Sequence, residues 1–361
     1  MVPLNEFQIA PLNSWLPSSS KPILISGPCS AESREQVLAT ADLLHKTGKI
    51  AAFRAGIWKP RTRPGGFEGH GKKALSWLKE VKETYGFPIA VEVATPKHLE
   101  ECLEAGVDIF WIGARTGVNP FSMKELAETM KGNDIPVMIK NPLSPDLALW
   151  VGNIERFMMN GISKIAAIHR GFNTHEKTKY RNFPIWNLAV ELKTILPGLP
   201  VICDPSHIAG KRELLHQISQ HALYLDMDGL MIESHCNPDK ALTDAAQQIT
   251  PQKLSEMVDQ LKVLTPEENN PSLELEMLRR QIDELDSQLF RTIASRLEIV
   301  KEVAHVKKHH KMTIVQLTRW NQILQNRINE GMEMGLNENF VRDFLALIHK
   351  ESIELQSKLM E

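Results

Sequence analysis

The sequence has few cysteines and no excess of charge of either sign. Its 361 residues include four cysteines, too few for a disulfide framework, and none of them form a CxxC pair. The 42 lysines and arginines are balanced by 44 aspartates and glutamates, so no basic field attracts nucleic acid or an anionic membrane surface. We therefore expect reduced thiols, a cytoplasmic protein and small-molecule substrates.

Long apolar runs are also missing. No uninterrupted stretch reaches the roughly 20 apolar residues that cross a bilayer, and residues 1–20 lack the basic start and apolar core of a signal peptide. The sequence therefore predicts neither export nor membrane insertion. Because a single α/β barrel usually takes about 250 residues, a chain of 361 residues leaves room for a second domain.

A repeated pattern runs from residue 21 to about residue 250. A short aliphatic run is followed by a polar or Gly/Pro break and then by a longer amphipathic stretch. Eight apolar strands that alternate with helices are typical of a closed (β/α)₈ TIM barrel. An open doubly wound sheet is the less favoured alternative, because it would scatter the polar strand ends along one edge. The predicted strands are residues 22–27, 50–56, 89–94, 108–114, 137–140, 164–171, 201–206 and 229–234.

The barrel is assigned to residues 1–264, with its last helix near 251–264. Residues 265–272, TPEENNPS, are polar and lack an apolar period, so they are interpreted as a linker. The remaining residues, 273–361, form the second domain.

The second domain is predicted to be an all-α, three-helix domain. Apolar residues recur at helical spacing from Leu275 to Val300, farther than in an ordinary globular helix. Helices at about 313–330 and 337–358 follow, separated by Gly331 and Gly335. Such a set leaves an apolar face that needs a partner, so we expect a homodimer.

Four side chains that can bind metal lie at the ends of predicted barrel strands or in the loops that follow them. They are Cys29 in GPCS, His207 in DPSH, Glu233 in IESH and Asp244 in NPDKALTD. The carboxyl ends of barrel strands meet at one mouth, so these side chains should converge. Sulfur, nitrogen and oxygen ligands together suit one divalent ion of the Mn, Fe, Co or Zn type, with Mn favoured. Cys102, Cys203 and His235 are interpreted as structural.

Cationic side chains fall just after the apolar part of other predicted strands. They are Arg54, Lys59, Arg61, Arg115, Lys140 and Arg170. Strand-end positions point into the barrel cavity, where like charges repel and need anionic partners. Arginine forks bind phosphate and carboxylate oxygens bidentately. We therefore expect the cavity to hold one or two small substrates with several negative charges.

A P-loop is not supported by the glycine-rich stretch that follows the second strand. Residues 66–72 match its first half, GxxxxGK, but position 73 is Lys rather than Ser or Thr. The hydroxyl that would bind magnesium is missing, so an ATPase is rejected. The glycines are interpreted as a mobile loop over the barrel mouth.

The barrel motifs resemble those of type Iβ 3-deoxy-D-arabino-heptulosonate 7-phosphate (DAHP) synthases. GPCS, KPRT, GART, KN, HRG, DPSH, IESH and NPDxALxD occur in the order of that family between residues 27 and 244. The resemblance implies a barrel enzyme with a divalent metal that condenses phosphoenolpyruvate with erythrose 4-phosphate and releases phosphate. In that reaction the metal polarises the aldehyde, and cations stabilise the developing charge.

The resemblance also implies residue roles. The metal ligands are Cys29, His207, Glu233 and Asp244, and the phosphoenolpyruvate site is Arg54, Lys59, Arg115, Lys140 and Arg170. Arg61 and Thr62 face erythrose 4-phosphate. Lys59 is the candidate proton donor to the new alkoxide, with a pKa lowered by neighbouring cations.

The KPRT motif separates two related barrel families. The 3-deoxy-D-manno-octulosonate 8-phosphate synthases also use phosphoenolpyruvate but elongate arabinose 5-phosphate, and they have a KANR-like sequence at this place. KPRT, residues 59–62, favours the four-carbon sugar, and the octulosonate synthase is the less favoured alternative. One departure is Arg63, where the family usually has Ser.

Residues 275–356 resemble the all-helical (type II) chorismate mutases, from LRRQIDELD to ESIELQ. The resemblance implies rearrangement of chorismate to prephenate in a pocket that holds two carboxylates and places a donor beside the ether oxygen. Lys307 and Gln356 are assigned to the ether oxygen, and Arg279 to the substrate of the neighbouring subunit. The implied binding set is Arg279, Arg296, Lys307, Arg319, Ser352 and Gln356.

One residue of the helical domain departs from that family. The position after Arg319 is commonly Glu but is Trp320 here, so an acceptor for the substrate hydroxyl is missing. The alternative is a domain that only dimerises and binds a regulatory ligand. We also hypothesise that this domain senses chorismate or prephenate and thereby closes the active site of the barrel.

Overall fold

The computed structural model describes residues 7–16, 18, 22–59, 65–175, 178–264 and 273–360. The chain divides into two compact units, Met1–Pro266 and Glu267–Glu361. Arg61, Thr62, Arg63 and the predicted linker at 265–272 lie outside the described residues.

Eight parallel strands close into a barrel in sequence order, which confirms the predicted fold of the first unit. They are β1 Ile23–Gly27, β2 Ala52–Ala55, β3 Ile89–Val93, β4 Ile109–Ile112, β5 Val137–Lys140, β6 Ile165–His169, β7 Val201–Cys203 and β8 Gly229–Glu233. β1 pairs with both β2 and β8. The strands are apolar because the sheet is covered on both faces.

Ten helices surround or close the barrel in the described part of the first unit. They are α1 Leu12–Trp15, α2 Arg34–Thr47, α3 Lys72–Tyr85, α4 Pro96–Glu104, α5 Pro120–Met130, α6 Leu147–Met159, α7 Trp186–Ile195, α8 Pro205–Ala209, α9 Leu215–Tyr224 and α10 Pro251–Asp259. Ser33, Thr95 and Asp146 each accept a backbone N–H of the first turn of the helix that follows, which fixes the start of that helix. The last helix ends at Asp259, earlier than the predicted 264.

The floor of the barrel is closed by the N-terminal segment. Leu12 and Leu16 are buried in the same cluster as Ile23 and Ala51, which lie at the amino ends of β1 and β2. The interior above them is filled by bulky side chains such as Trp111. The barrel is therefore a packed core with one open end, the carboxyl end of the strands.

Gly27 ends β1 at a close approach to β2. Its φ is +152°, and a Cβ there would lie 2.1 Å from the carbonyl oxygen of Arg54. We expect Gly27→Ala to lower the free energy of unfolding by more than about 2 kcal/mol, because the backbone of β2 must shift. Denaturant unfolding measures this. Gly48→Ala is the control, since Gly48 also has a positive φ but its added methyl would meet nothing within 4 Å; equal losses would contradict the steric explanation.

The second unit contains three helices in its described part, as predicted. They are α11 Leu273–His309, α12 Leu317–Glu333 and α13 Glu338–Met360. The expected break at Gly331 is wrong, because α12 continues through it and the chain turns at Gly335, with φ +84°. A Cβ on Gly331 would lie 2.6 Å from Val341 Cγ2. This glycine therefore allows α12 and α13 to approach closely rather than ending a helix.

One face of α11 is apolar and exposed in the single chain. Leu278, Ile282, Leu285 and Leu289 are 45–62% exposed and recur at helical spacing. Among the described helices, none combines the length and the apolar character that a membrane span requires.

Candidate active sites

One sulfur and two carboxylates meet at the barrel mouth. They belong to Cys29, Glu233 and Asp244, which we call the metal group. Their ligand atoms lie within 4.8 Å of one another. Cys29 follows β1 and Glu233 ends β8, the strand paired with β1, whereas Asp244 comes from the loop before α10, with φ +49°. Glu233 Oε1 is buried without a hydrogen bond among the described residues. An unsatisfied buried carboxylate oxygen is costly, so this donor set fits a divalent cation.

His207, the fourth predicted ligand, lies beside this group. Its Nε2 is 4.0 Å from Glu233 Oε1, and its Nδ1 is 2.8 Å from Asp204 Oδ2. Asp204 also caps α8 by accepting the backbone N–H of His207. Burial lowers the pKa of His207 by more than Asp204 raises it, so the ring is neutral, as metal binding requires. Asp204 thus orients the imidazole beside the metal group.

Lys59 contacts the thiol of Cys29. Its Nζ lies 3.1 Å from Cys29 Sγ and donates to Cys29 O at 2.8 Å. Burial raises the pKa of the thiol to about 12, and Glu233 adds to this effect. A metal ligand must be the thiolate, which both a bound divalent ion and the Lys59 ammonium favour.

The predicted direction of the Lys59 pKa is wrong. Burial lowers it, but Cys29, Glu92 and Glu233 together raise it more, so the net change is upward. The reason is that Lys59 faces more negative groups than the motif alone reveals. Lys59 therefore remains an ammonium that can donate a proton.

Arg54 is buried with unsatisfied donors. Its side chain is 1% exposed, and Nη2 lies 3.4 Å from Glu233 Oε1. The guanidinium lies over the Trp111 ring, 4.8 Å from its centroid. Nε and Nη1 have no hydrogen-bond partner in the described chain. Buried N–H groups of a cation need acceptors, and an anionic substrate can supply them.

Lys140 and Arg170 are two further buried cations at the barrel mouth. Lys140 ends β5, is 4% exposed and donates to Asp204 Oδ2 at 2.8 Å. Arg170 follows β6, and burial lowers its pKa to about 10, so it stays charged at neutral pH. The sequence predicts that each cation of the cavity needs a negatively charged substrate as its partner. For Lys140 this is too broad, because Asp204 of the protein already neutralises it.

Only part of this set of side chains lines a cavity at the mouth, which has a volume of about 220 Å³. Its lining includes the cations Lys59, Arg115, Lys140 and Arg170, together with His207 and Asp244, whereas Cys29, Arg54 and Glu233 are not among the lining residues. Arg115 lies after β4 and is exposed. The carboxyl ends of the strands thus bring the predicted metal-binding and anion-binding residues of the described chain to one mouth, as a barrel requires.

Besides Asp204, three side chains at the mouth were not predicted from the sequence. Arg181 Nη1 donates to Asp244 Oδ1 at 3.0 Å and to Gln247 Oε1 at 2.7 Å. Gln247 Nε2 donates to Glu233 Oε2 at 2.7 Å. Glu92 lines the cavity. Of these three, only Glu92 has a local signal, because it is the charged residue within the apolar run of β3. Arg181 and Gln247 lie in loops.

Asp204 could have been recognised as the carboxylate of the DPSH motif. We expect Asp204→Asn to weaken binding of Mn²⁺ about 10- to 100-fold, because it loosens both His207 and Lys140. Metal titration of the purified chain measures the affinity, with Asp42→Asn, an exposed change on α2, as the control. Unchanged affinity in Asp204→Asn would contradict an orienting role.

A second group of predicted residues meets in the helical unit. Arg296 Nη1 donates to Ser352 Oγ at 2.7 Å, and Lys307 Nζ donates to Gln356 Oε1 at 3.1 Å. Ser352 and Gln356 are 4% and 7% exposed. α11 and α13 thus bring two cations and two polar groups together, and we call these four residues the helical pocket.

Arg279 and Arg319 are not joined to this pocket in the described chain. Both are exposed, and Arg279 Nη1 lies 3.4 Å from Glu276 Oε1 on its own helix. Arg319 lies in the first turn of α12. Their predicted roles stay predictions.

The fold and the two sites are typical of a two-domain enzyme of small anionic substrates, with barrel residues that fit a divalent metal and a cationic helical pocket. The model of the DAHP synthetase I family matches residues 16–268, and that of chorismate mutase type II matches residues 278–357. The chain therefore belongs to the DAHP synthetase I family and carries a type II chorismate mutase domain. This confirms both resemblances and supports both activities in one chain.

Individual relatives agree with the family. A phospho-2-dehydro-3-deoxyheptonate aldolase of Thermotoga maritima is 32% identical over 241 residues, covering 67% of this chain and 69% of its own. A crystal structure of that enzyme, DAHP synthase, from the same organism has a TM-score of 0.61 at 28% identity and covers 70% and 71%. A 2-dehydro-3-deoxyphosphooctonate aldolase of Francisella tularensis is 27% identical over 264 residues, covering 67% and 90%.

Proposed function

We propose that the two domains act as separate catalysts. The barrel condenses phosphoenolpyruvate with erythrose 4-phosphate and one water to give DAHP and phosphate, and the helical domain rearranges chorismate to prephenate. The observation that carries the first assignment is the metal group beside a cation-lined cavity at one barrel mouth. The paired contacts of Arg296 and Lys307 carry the second.

The metal ligands in this proposal are Cys29, His207, Glu233 and Asp244. They would hold one divalent ion of the Mn, Fe, Co or Zn type, with Mn favoured by this donor set. When bound, such an ion supplies a Lewis acid for a carbonyl oxygen. The unsatisfied Glu233 Oε1 supports this assignment.

The cations of the barrel are assigned to two different substrates. Arg54, Arg115, Lys140 and Arg170 bind the phosphate and carboxylate of phosphoenolpyruvate, and the unsatisfied donors of Arg54 favour this role. Lys59, held as an ammonium, donates the proton that the new alkoxide takes up. For erythrose 4-phosphate the proposal rests on the KPRT motif, through Arg61 and Thr62.

In the helical domain, Arg296, Arg319 and Ser352 hold the carboxylates of chorismate. Lys307 and Gln356 are placed beside the ether oxygen, where a donor stabilises the charge that develops as the bond breaks. A unimolecular rearrangement needs no further group transfer, so a pocket that fixes the reactive conformation is sufficient.

We also propose a homodimer through α11. The exposed row that includes Ile282 and Leu285 supports it, since a second copy would cover these side chains. Arg279, on the same helix, would then reach the substrate of the neighbouring subunit. Binding of prephenate or chorismate to the helical domain is proposed to inhibit the barrel. A cytoplasmic location is consistent with the four cysteines, which form no disulfide.

The choice of sugar tests the barrel assignment against its runner-up. The octulosonate relatives are also similar to this chain, so the two aldoses should be compared directly. We expect phosphoenolpyruvate consumption with erythrose 4-phosphate and little with arabinose 5-phosphate at equal concentration. Preferential use of the five-carbon sugar would replace the proposed reaction with the octulosonate one.

A further inference from the structure

Trp320 of α12 and His349 of α13 form a stacked pair in the helical unit. Their ring centroids are 3.7 Å apart and the rings are inclined by 17°. Both side chains are half-buried. His349 precedes Ser352 by three residues and Gln356 by seven, a spacing that places all three on one face of α13. The stacked pair therefore lies beside the pocket that Ser352 and Gln356 line.

The charges of the pocket act on His349. Burial lowers its pKa, and Arg296 and Lys307 of α11 lower it further. The ring is therefore neutral at neutral pH, with one nitrogen donating and the other accepting a hydrogen bond. The described residues give neither ring nitrogen a hydrogen-bond partner.

The other pocket side chains are already engaged. Ser352 Oγ accepts from Arg296 and donates to Ile348 O. Gln356 Oε1 accepts from Lys307, and its Nε2 donates to Ser352 O. Arg296 and Lys307 carry donors only. A hydroxyl of a bound substrate needs an acceptor as well as a donor, and in this pocket His349 offers both.

We propose that His349 hydrogen-bonds the ring hydroxyl of chorismate and that Trp320 fixes the plane of the imidazole by stacking on it. His349 is thus a substrate-binding residue, and Trp320 is a positioning residue. The pair thus supplies the hydroxyl contact that a carboxylate at position 320 would make. This inference rests on the proposed mutase activity and identifies the side chain that recognises the ring hydroxyl of the substrate.

His349→Phe tests the contact because it keeps an aromatic ring on Trp320 but removes both nitrogens. The substrates are chorismate and its analogue without the ring hydroxyl, compared by kcat/KM in the full chain. We expect the variant to lose about tenfold on chorismate, the worth of one hydrogen bond, and less than about twofold on the analogue. We expect the unsubstituted chain to prefer chorismate to the analogue by about tenfold, and this preference should disappear in the variant.

Two further variants complete the experiment. Trp320→Phe should keep the preference for the hydroxyl and Trp320→Ala should lose it, whereas His310→Phe, at an exposed histidine just past α11, should change neither rate. Equal losses on both substrates in a folded His349→Phe chain would overturn the contact and leave His349 as a wall residue. If the unsubstituted chain does not convert chorismate, the mutase assignment itself fails, and this inference with it.

Discussion

Cys29→Ala is expected to lower kcat of the synthase reaction about 10³-fold and to leave chorismate turnover unchanged. The thiol lies within 4.8 Å of the carboxylate ligands Glu233 and Asp244, so its loss removes the sulfur ligand of the metal group. A bound ion contributes several kcal/mol of charge stabilisation, and each 1.4 kcal/mol is a factor of ten. Initial rates of phosphoenolpyruvate loss, with Mn²⁺ added, measure the effect.

The control for this variant is Cys236→Ala. Cys236 is a half-buried thiol outside the metal group, so its replacement should change the synthase rate less than about twofold. Unsubstituted chain treated with EDTA should fall to the same low rate as Cys29→Ala. A Cys29→Ala chain that keeps full activity would show that the sulfur is not a ligand.

Lys307→Met is expected to lower kcat/KM for chorismate by about 10²- to 10³-fold, the usual cost of removing one donor that acts on developing charge. Methionine approximates the aliphatic part of the lysine side chain but lacks the ammonium that donates to Gln356 Oε1. The loss should appear in chorismate disappearance and not in phosphoenolpyruvate consumption, because the barrel site does not depend on this cation.

Lys308→Met provides the matched control on the same helix. Lys308 is exposed, and its Nζ donates to the carbonyl of Leu359 at 3.1 Å. The Lys308→Met chain should keep its rate of chorismate conversion within about twofold of the unsubstituted chain. Comparable losses in both lysine variants would point to the stability of the helical unit rather than to a catalytic cation.

The barrel was predictable because its signals are local. Each strand is a short apolar run, and the polar residue that matters lies in or within a few positions of that run, as Arg54 in β2 and Lys140 at the end of β5 show. Barrel closure then brings these ends together without further information from the sequence. The helical unit was predictable for a similar reason, since apolar spacing along one helix is a local property.

Long-range contacts account for what was not predicted. Arg181 reaches Asp244 and Gln247 from a loop whose path no periodicity specifies. The pKa of Lys59 has the opposite direction to the expected one because Glu92 and Glu233 approach it from other strands.

The same limit applies in the helical unit. The sequence predicts a helix end at Gly331, because the close packing of this glycine against Val341 appears only when α12 and α13 are assembled. From the sequence, position 320 shows only that the usual carboxylate is replaced by tryptophan. The stacking of Trp320 on His349 cannot be predicted locally, because His349 lies on a different helix.

The most direct measurement is to follow both reactions in one preparation of the full chain. Loss of phosphoenolpyruvate absorbance after addition of erythrose 4-phosphate is recorded with EDTA and after Mn²⁺ is restored, in parallel with disappearance of chorismate. We expect EDTA to stop phosphoenolpyruvate consumption, Mn²⁺ to restore it, and chorismate conversion to continue throughout. Absence of phosphoenolpyruvate consumption with every divalent metal, or chorismate left unconverted, would contradict the assignment of two independent active sites to this chain.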